Sequence, residues 1–373
     1  VGIFMFGIQT YFLSKILSYM IRIFIFSIDS SILNQDIFLI FLLGLNMIDW
    51  TSFVLTISLQ LFLFSQGHKF NKLFINFSAT MVYLGMLFFV LVILLYEYNY
   101  VTQAFSEIFV FQNIFIKDNI MPLTTVAGTI FAYFSIVIVN FGDFSRYVKN
   151  ENELKKGNLS LILNLLIFSL FAIFIVIGAD VILNKNLENM ERIFTNPTDI
   201  IGKFNNTQIT VTVLFFIFLA SVSTNLIANY VPAQNSLLNF LPNKLTLRSS
   251  ALIIIFFGFF IGIFWLPLLS QIGILSFIDT FTCFFGPFFG IMVVDYYLIK
   301  KSNLVNKDIF SIEKNSTYYY SGGWHLKAIY SLVVGFIFAA ATIWNESLIY
   351  LNYYSWILGV VVSSLTYYLL AKK

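Results

Sequence analysis

The chain has 373 residues, 59% of them hydrophobic and 10% charged, with a net charge of +3. A soluble domain carries roughly 25% charged residues, so this composition excludes a soluble globular protein and points to a membrane one, and the small net charge gives no signal for nucleic acid. A single cysteine, Cys283, excludes an internal disulfide, and only two histidines, His68 and His325, exclude a histidine metal cluster.

A membrane span needs roughly 20 mostly apolar residues. Ten stretches qualify, near 1–21, 49–66, 72–96, 122–142, 160–184, 208–233, 249–273, 277–299, 327–345 and 350–371. The run Ile37–Met47 is too short to cross and is expected to lie at the interface or to re-enter. The loops near 97–121, 185–207 and 301–326 are too short to hold a soluble domain, so residues 1–373 are expected to form a single multi-pass membrane domain. The chain opens on Val1 directly in an apolar helical pattern, with no basic region before it and no cleavage site after it. That argues against a signal peptide, and it leads to the expectation that the domain is incomplete at its N-terminus.

In the first span, Gln9 places an amide deep in hydrocarbon, flanked on its helical face by Met5 and Phe12. Such an amide either bonds a neighbouring helix or faces a ligand. Lys15, six residues on, is expected to snorkel outward along its stem. The fourth span places Gly128, Tyr133, Phe134 and Ser135 at mid-membrane depth, where interrupted helices often mark transporter sites. It ends in Asn-Phe-Gly-Asp-Phe-Ser-Arg-Tyr, residues 140–147, whose Asp143 and Arg146 suggest an ion pair with a structural or gating role. Asp180 and Asp295 stand near the ends of the fifth and eighth spans, and Gly-Pro at 286–287 is expected to kink the eighth.

The sixth span carries the densest polar signal, Ala-Ser-Val-Ser-Thr-Asn-Leu-Ile-Ala-Asn at 220–229. In a bilayer these groups must find partners in the protein, a ligand or water. At about 100° per residue, Ala220, Ser223 and Thr224 share one face, and Asn225 and Asn229 share its neighbour. One face offers hydroxyls, the other amides.

Fifteen of the twenty-one Lys and Arg residues fall on one side of this span pattern, including Lys69, Lys72, Arg146, Lys300 and the tail Lys372–Lys373. The positive-inside rule makes that side cytoplasmic and puts the C-terminus inside. No HExxH, GxSxG, phosphate-binding glycine loop or CxxC pair occurs, so an enzyme is not expected.

Gly-Ile-Gln-Thr at 7–10, the 140–147 motif, Ser-Thr-Asn-Leu-Ile-Ala-Asn at 223–229, Gly-Pro-Phe-Phe-Gly-Ile-Met-Val-Val-Asp-Tyr-Tyr-Leu at 286–298 and Gly-Gly-Trp-His at 322–325 occur together. In that order and spacing, the chain resembles the nucleobase:cation symporter-1 family of cytosine, uracil, allantoin and hydantoin permeases. The resemblance implies an all-α integral membrane protein with the inverted-repeat sodium-symporter (LeuT-like) fold, ten of twelve transmembrane helices being present and the first two lacking.

It also implies the roles. Ser223, Thr224 and the Ala220 carbonyl would hold Na⁺ as the coupling ion, with no other cofactor. Gln9, Asn229 and, more weakly, Asn225 would bond a small heterocyclic substrate, with Phe134 and Phe12 as aromatic partners for its ring. Phe12 follows the cytosine-type pattern, so a pyrimidine such as cytosine is expected, imported by Na⁺ symport across the inner cell membrane. The alternatives are a proton-coupled permease for another heterocycle, such as allantoin or a vitamin, and a truncated remnant that does not transport.

Overall fold

The computed structural model describes residues 1–108, 117–183, 206–241, 244–265, 267–268, 271, 274–305, 307–309, 311 and 313–372. Each of the ten predicted spans coincides with a helix: α1 (Gly2–Ile28), α2 (Met47–Phe64), α3 (His68–Ile108), α4 (Lys117–Val139), α5 (Glu151–Leu183), α6 (Thr207–Phe240), α7 (Leu247–Trp265), α8 (Ile274–Val293), α9 (Leu326–Trp344) and α10 (Ser355–Ala371). Eight helices among the described residues are long and apolar enough to cross a membrane. The run after α1 forms only two short helices, Ser30–Asn34 and Asp36–Leu39, and does not cross. Lys185, Arg192 and Lys203 lie outside the described residues, as do most of the 185–207 loop and the terminal Lys373.

Local chemistry accounts for the helix starts. Asn46 caps α2 by accepting from the Asp49 N–H at 3.0 Å, and Asn206 caps α6 by accepting from Gln208 and Ile209, both at 3.1 Å. The α-helical hydrogen bonds of α6 run only to Thr224; Asn225–Tyr230 form a π-helical turn before Val231–Phe240 resume. The Val231 N–H reaches five residues back to the Leu226 carbonyl, and Pro232, which has no N–H to give, follows immediately. A second π turn, Val294–Ile299, extends α8. Helix α4 runs unbroken past Gly128, so that stretch is not an interrupted helix. Gly128 instead lies where any side chain would collide with the Tyr353 carbonyl, so its role is close packing.

The chain divides into two compact units. The first, Val1–Val110 with Ser145–Gln271, holds α1–α3 and α5–α7. Its core gathers Phe6, Leu13, Phe64, Ile93, Leu226 and Tyr230, with the Phe6, Phe64 and Tyr230 rings 5.0 to 6.3 Å apart. Helix α1 crosses α7 closely because Gly7 meets Gly258 and Gly262: a Cβ on Gly7 would lie 2.8 Å from the Gly258 carbonyl. Leu159, Leu163, Leu166 and Leu170 leave α5 apolar and exposed, as a lipid-facing helix must be.

The second unit, Phe111–Phe144 with Ile272–Lys373, holds α4 and α8–α10. Trp356 is sandwiched between Phe131 and Phe289 at centroid distances of 5.3 and 5.5 Å. Small residues, Gly335, Gly359 and Ser363, let α9 and α10 approach each other and Pro287 of α8. Pro287 lies within the continuous helix α8, and Ser363 donates to its carbonyl at 3.2 Å.

Candidate functional site

Three amides meet in the first unit, between α1 and the π turn of α6. The Gln9 Nε2 donates to the Ser221 carbonyl at 3.2 Å, and the Gln9 Oε1 accepts from the Asn229 Nδ2 at 2.7 Å. That same Asn229 nitrogen donates to the Asn225 Oδ1 at 2.9 Å. Asn225 turns its own Nδ2 to the Phe6 carbonyl at 3.3 Å and to the Thr10 Oγ1 at 3.2 Å. The Thr10 hydroxyl is also 2.8 Å from the Gln60 Oε1 of α2 and 2.7 Å from the Phe6 carbonyl, two acceptors for its one proton. Asn225, Thr10 and Gln60 are wholly buried, whereas Gln9 is only partly so.

The spacing of Asn225 and Asn229 shows that they share a face, and so they do. They differ in what they offer. Every amide atom of Asn225 is bonded inside the protein. The Asn229 Oδ1 makes no hydrogen bond among the described residues.

The hydroxyl face lies one turn earlier. Ser223 and Thr224 each donate to the Ala220 carbonyl at 2.9 Å, an ordinary way for helix hydroxyls to satisfy themselves. Thr224 is exposed, and Ala220 and Ser223 are half-buried. Three oxygens converge, a donor set of the hard kind that suits an alkali cation, although three are an incomplete shell. To turn toward an ion, each hydroxyl must give up its bond to Ala220, at about 1 kcal/mol.

Phe12, one turn beyond Gln9, is exposed, with edge contacts to Tyr11 at 5.6 Å and to the buried Trp265 at 5.9 Å. Phe134 lies in the second unit, on α4, and is 37% exposed. Asp143 sits in the short helix Phe141–Ser145, its N–H bonded to the Asn140 carbonyl at 2.9 Å. Arg146 follows it, exposed and 6.0 Å from the Tyr147 ring.

Lys15 does not snorkel into solvent. Its Nζ pairs with the Asp49 Oδ2 at 2.9 Å, and Asp49 also takes the Ser18 hydroxyl at 2.6 Å and the Arg22 guanidinium at 3.4 Å. Arg22 further donates to Asn46 at 2.9 Å. Asp49, buried at 5% exposure, was the missed member. Its signal was the spacing Lys15–Ser18–Arg22 down one helix face beside an acid at the start of the next span.

In the second unit, Asp295 takes the Tyr367 hydroxyl at 2.6 Å and the Lys300 ammonium at 2.5 Å. The Tyr367 oxygen lies 3.0 Å from the His325 Nε2. His325 caps α9 by accepting the Ala328 N–H on Nδ1, which leaves its proton on Nε2, facing Tyr367. The preceding Gly322 and Gly323 take φ of +64° and +88°, which explains the glycine pair in Gly-Gly-Trp-His. Burial pushes the His325 pKa below its ordinary value despite the opposing pull of the Asp295 carboxylate.

Comparison with known proteins places this geometry. Residues 1–367 match the family described as "Permease for cytosine/purines, uracil, thiamine, allantoin". The purine-uracil permease NCS1 of Arabidopsis thaliana is 27% identical over 206 residues, 55% of this chain and 33% of that protein. The allantoin permease of Bacillus subtilis (strain 168) is 24% identical over 340 residues, 89% of this chain and 65% of that protein. The chain thus spans between a third and about two thirds of the length of these curated relatives. Among solved structures, Mhp1, a nucleobase-cation-symport-1 family transporter, in a closed conformation with bromovinylhydantoin bound, superposes with a TM-score of 0.68 at 16% identity, covering 98% of this chain and 72% of that one. That likeness confirms the all-helical, LeuT-like fold.

Proposed function

The chain belongs to the family of permeases for cytosine/purines, uracil, thiamine and allantoin, and from that premise we propose that it imports a small planar heterocycle, a pyrimidine such as cytosine, by symport with Na⁺. The observation that carries this reading is the amide pair Gln9–Asn229, bonded at 2.7 Å between α1 and a π turn of α6. Helix irregularity at membrane depth exposes polar groups to a ligand rather than to lipid. The half-buried Gln9 and the buried Asn229 can match the N–H and C=O edge of a heterocycle, and a site of this kind rejects rings that leave its own groups unpaired. Phe12, exposed one turn beyond Gln9, supplies flat apolar surface for the ring.

The hydroxyls of Ser223 and Thr224, with the Ala220 carbonyl, are the proposed ion ligands. They stand one turn from the amides in the same helix, so ion and substrate bias the same element and strengthen each other's binding reciprocally. Fifteen of twenty-one basic residues fall on the proposed cytoplasmic side of an inner membrane, which puts the C-terminus inside. Asp143 and Arg146, on that side, are each proposed for a structural or gating role.

The test is uptake of radiolabelled cytosine, uracil, allantoin and hydantoin into proteoliposomes under an inward Na⁺ gradient. Saturable uptake of one of them that collapses when choline replaces Na⁺ supports the reading. Uptake driven equally well by a pH gradient without Na⁺ would replace Na⁺ with H⁺, and no uptake of any heterocycle would overturn the reading.

A further inference from the structure

The amides of the candidate site are not free to choose their orientation. A backbone carbonyl only accepts. The Phe6 carbonyl therefore draws the nitrogen end of Asn225, and the Ser221 carbonyl draws the nitrogen end of Gln9. Both side chains then turn oxygens toward Asn229, which lies between them and answers both with its nitrogen. The Asn229 Oδ1 is the atom left over. Two main-chain groups, one from α1 and one from α6, thus set the polarity of three side chains.

Behind Asn225 stand Thr10 of α1 and Gln60 of α2, both wholly buried and neither able to touch a ligand. The Thr10 oxygen is the second acceptor for the Asn225 nitrogen at 3.2 Å, and the Gln60 Oε1 lies 2.8 Å from Thr10 on the far side. The Gln60 Nε2 is buried with no hydrogen-bond partner among the described residues. Burying an unpaired amide nitrogen is costly. Turned end for end, Gln60 would donate to Thr10, whose proton then goes to the Phe6 carbonyl alone; in either sense the Thr10 oxygen keeps a lone pair for Asn225.

We propose that Thr10, backed by Gln60, is a specificity-determining positioning residue: it holds Asn225 so that the triad offers a single acceptor, the Asn229 Oδ1, to an N–H donor of the ligand. The ligand class follows as lactam- or imide-type rings that present a ring N–H on the edge meeting Asn229; rings with only acceptors there are excluded. This rests on the heterocycle-transport reading above.

The experiment compares wild type, Thr10→Val, Thr10→Ser and Asn229→Ala in proteoliposomes. The probes are uracil and hydantoin, each against its fully N-methylated form. Thr10→Val is nearly isosteric and removes only the hydroxyl. Expected are a KM for the N–H form raised about tenfold with an unchanged maximal rate, and a preference for N–H over N-methyl forms reduced by a similar factor. Thr10→Ser restores both. A Thr10→Val that keeps wild-type KM and preference overturns the proposal, as does a Thr10→Ser no better than Thr10→Val.

A ligand-free readout separates the two readings. In protein labelled with ¹⁵N at its side-chain amides, Thr10→Val is expected to shift the Asn229 resonance as well as that of Asn225, because the disturbance passes along the relay. An unmoved Asn229 overturns the relay whatever uracil does. A wild type that ignores both rings while Asn229 still shifts overturns the transport reading and leaves the relay standing.

Discussion

Gln9 and Asn229, 220 positions apart in sequence, are joined side chain to side chain at 2.7 Å. The bond ties α1 to the π turn of α6 through two amides that lipid alone cannot satisfy. Gln9→Leu removes one of the two amides a ligand would meet and also strips Asn229 of a partner. Losing such a bond costs about 1–3 kcal/mol, or roughly ten- to a hundredfold in affinity. Equilibrium binding of the best-transported heterocycle to purified protein measures it; an affinity within twofold of wild type would sink the assignment of Gln9.

The hydroxyl face is expected to respond differently. Thr224→Ala removes the hydroxyl of an exposed residue, bonded among the described residues only to its own helix, so folding should be little affected. The Na⁺ concentration for half-maximal uptake should rise about tenfold or more, since bonds to a charged partner are worth about 1.5–3 kcal/mol. Substrate affinity at saturating Na⁺ should stay near wild type while its stimulation by sub-saturating Na⁺ fades. Titrating Na⁺ at fixed substrate checks both halves.

Asp49 holds two cations, Lys15 and Arg22, against α2. Asp49→Asn leaves both positive charges facing each other with a neutral amide between them. Both partners are about a third exposed or less, 27% for Lys15 and 32% for Arg22, so water screens part of the loss. A destabilisation of about 2–3 kcal/mol is expected, below the 3–5 kcal/mol of a fully buried broken pair. It should appear as a lowered melting temperature in detergent, and pairing Asp49→Asn with Lys15→Met should recover part of it. Equal melting temperatures for all three would show the cluster to be idle.

His325 sets a pH dependence in the second unit. Its native pKa is depressed, by burial first, so the folded protein binds fewer protons than the unfolded chain at pH values below about 6.5. Stability is therefore complete above that value and is lost as pH falls toward the depressed native pKa. Protonating Nδ1 would also break the cap on the Ala328 N–H. Melting temperatures measured from pH 7.5 to 5 should fall for wild type, and less steeply for His325→Asn, which can still cap the helix. Identical slopes would remove His325 from the account.

Much of this fold was readable because a bilayer imposes one rule: apolar runs of sufficient length become helices. The ten helices and the non-crossing Ile37–Met47 run follow from that rule alone. Its limits show at particular residues. Periodicity places Asn225 and Asn229 on one face, yet it is blind to the Phe6 carbonyl that turns one of them inward. Gly128 carries the same letter whether it breaks a helix or admits the Tyr353 backbone. The π turn leaves a local trace in Pro232, whose missing donor frees a carbonyl, although proline equally permits a simple kink. Lys15 and Asp49 lie 34 positions apart on different helices, so the spacing Lys15–Ser18–Arg22 marks a polar face without naming its partner.

The π turn of α6 has one more property. A turn closed over five residues holds one residue more than the α-helix on either side. Taken by itself that residue is an insertion. Deleting Ala228 would restore the α-helical register of Thr207–Phe240 but leave Pro232 inside it, where the ring meets the carbonyl four residues back at a cost of about 3 kcal/mol. The melting temperature should fall accordingly, while Asn229 swings away from Gln9. One surplus residue thus serves two ends: it makes room for a proline, and it holds an amide toward the other helix.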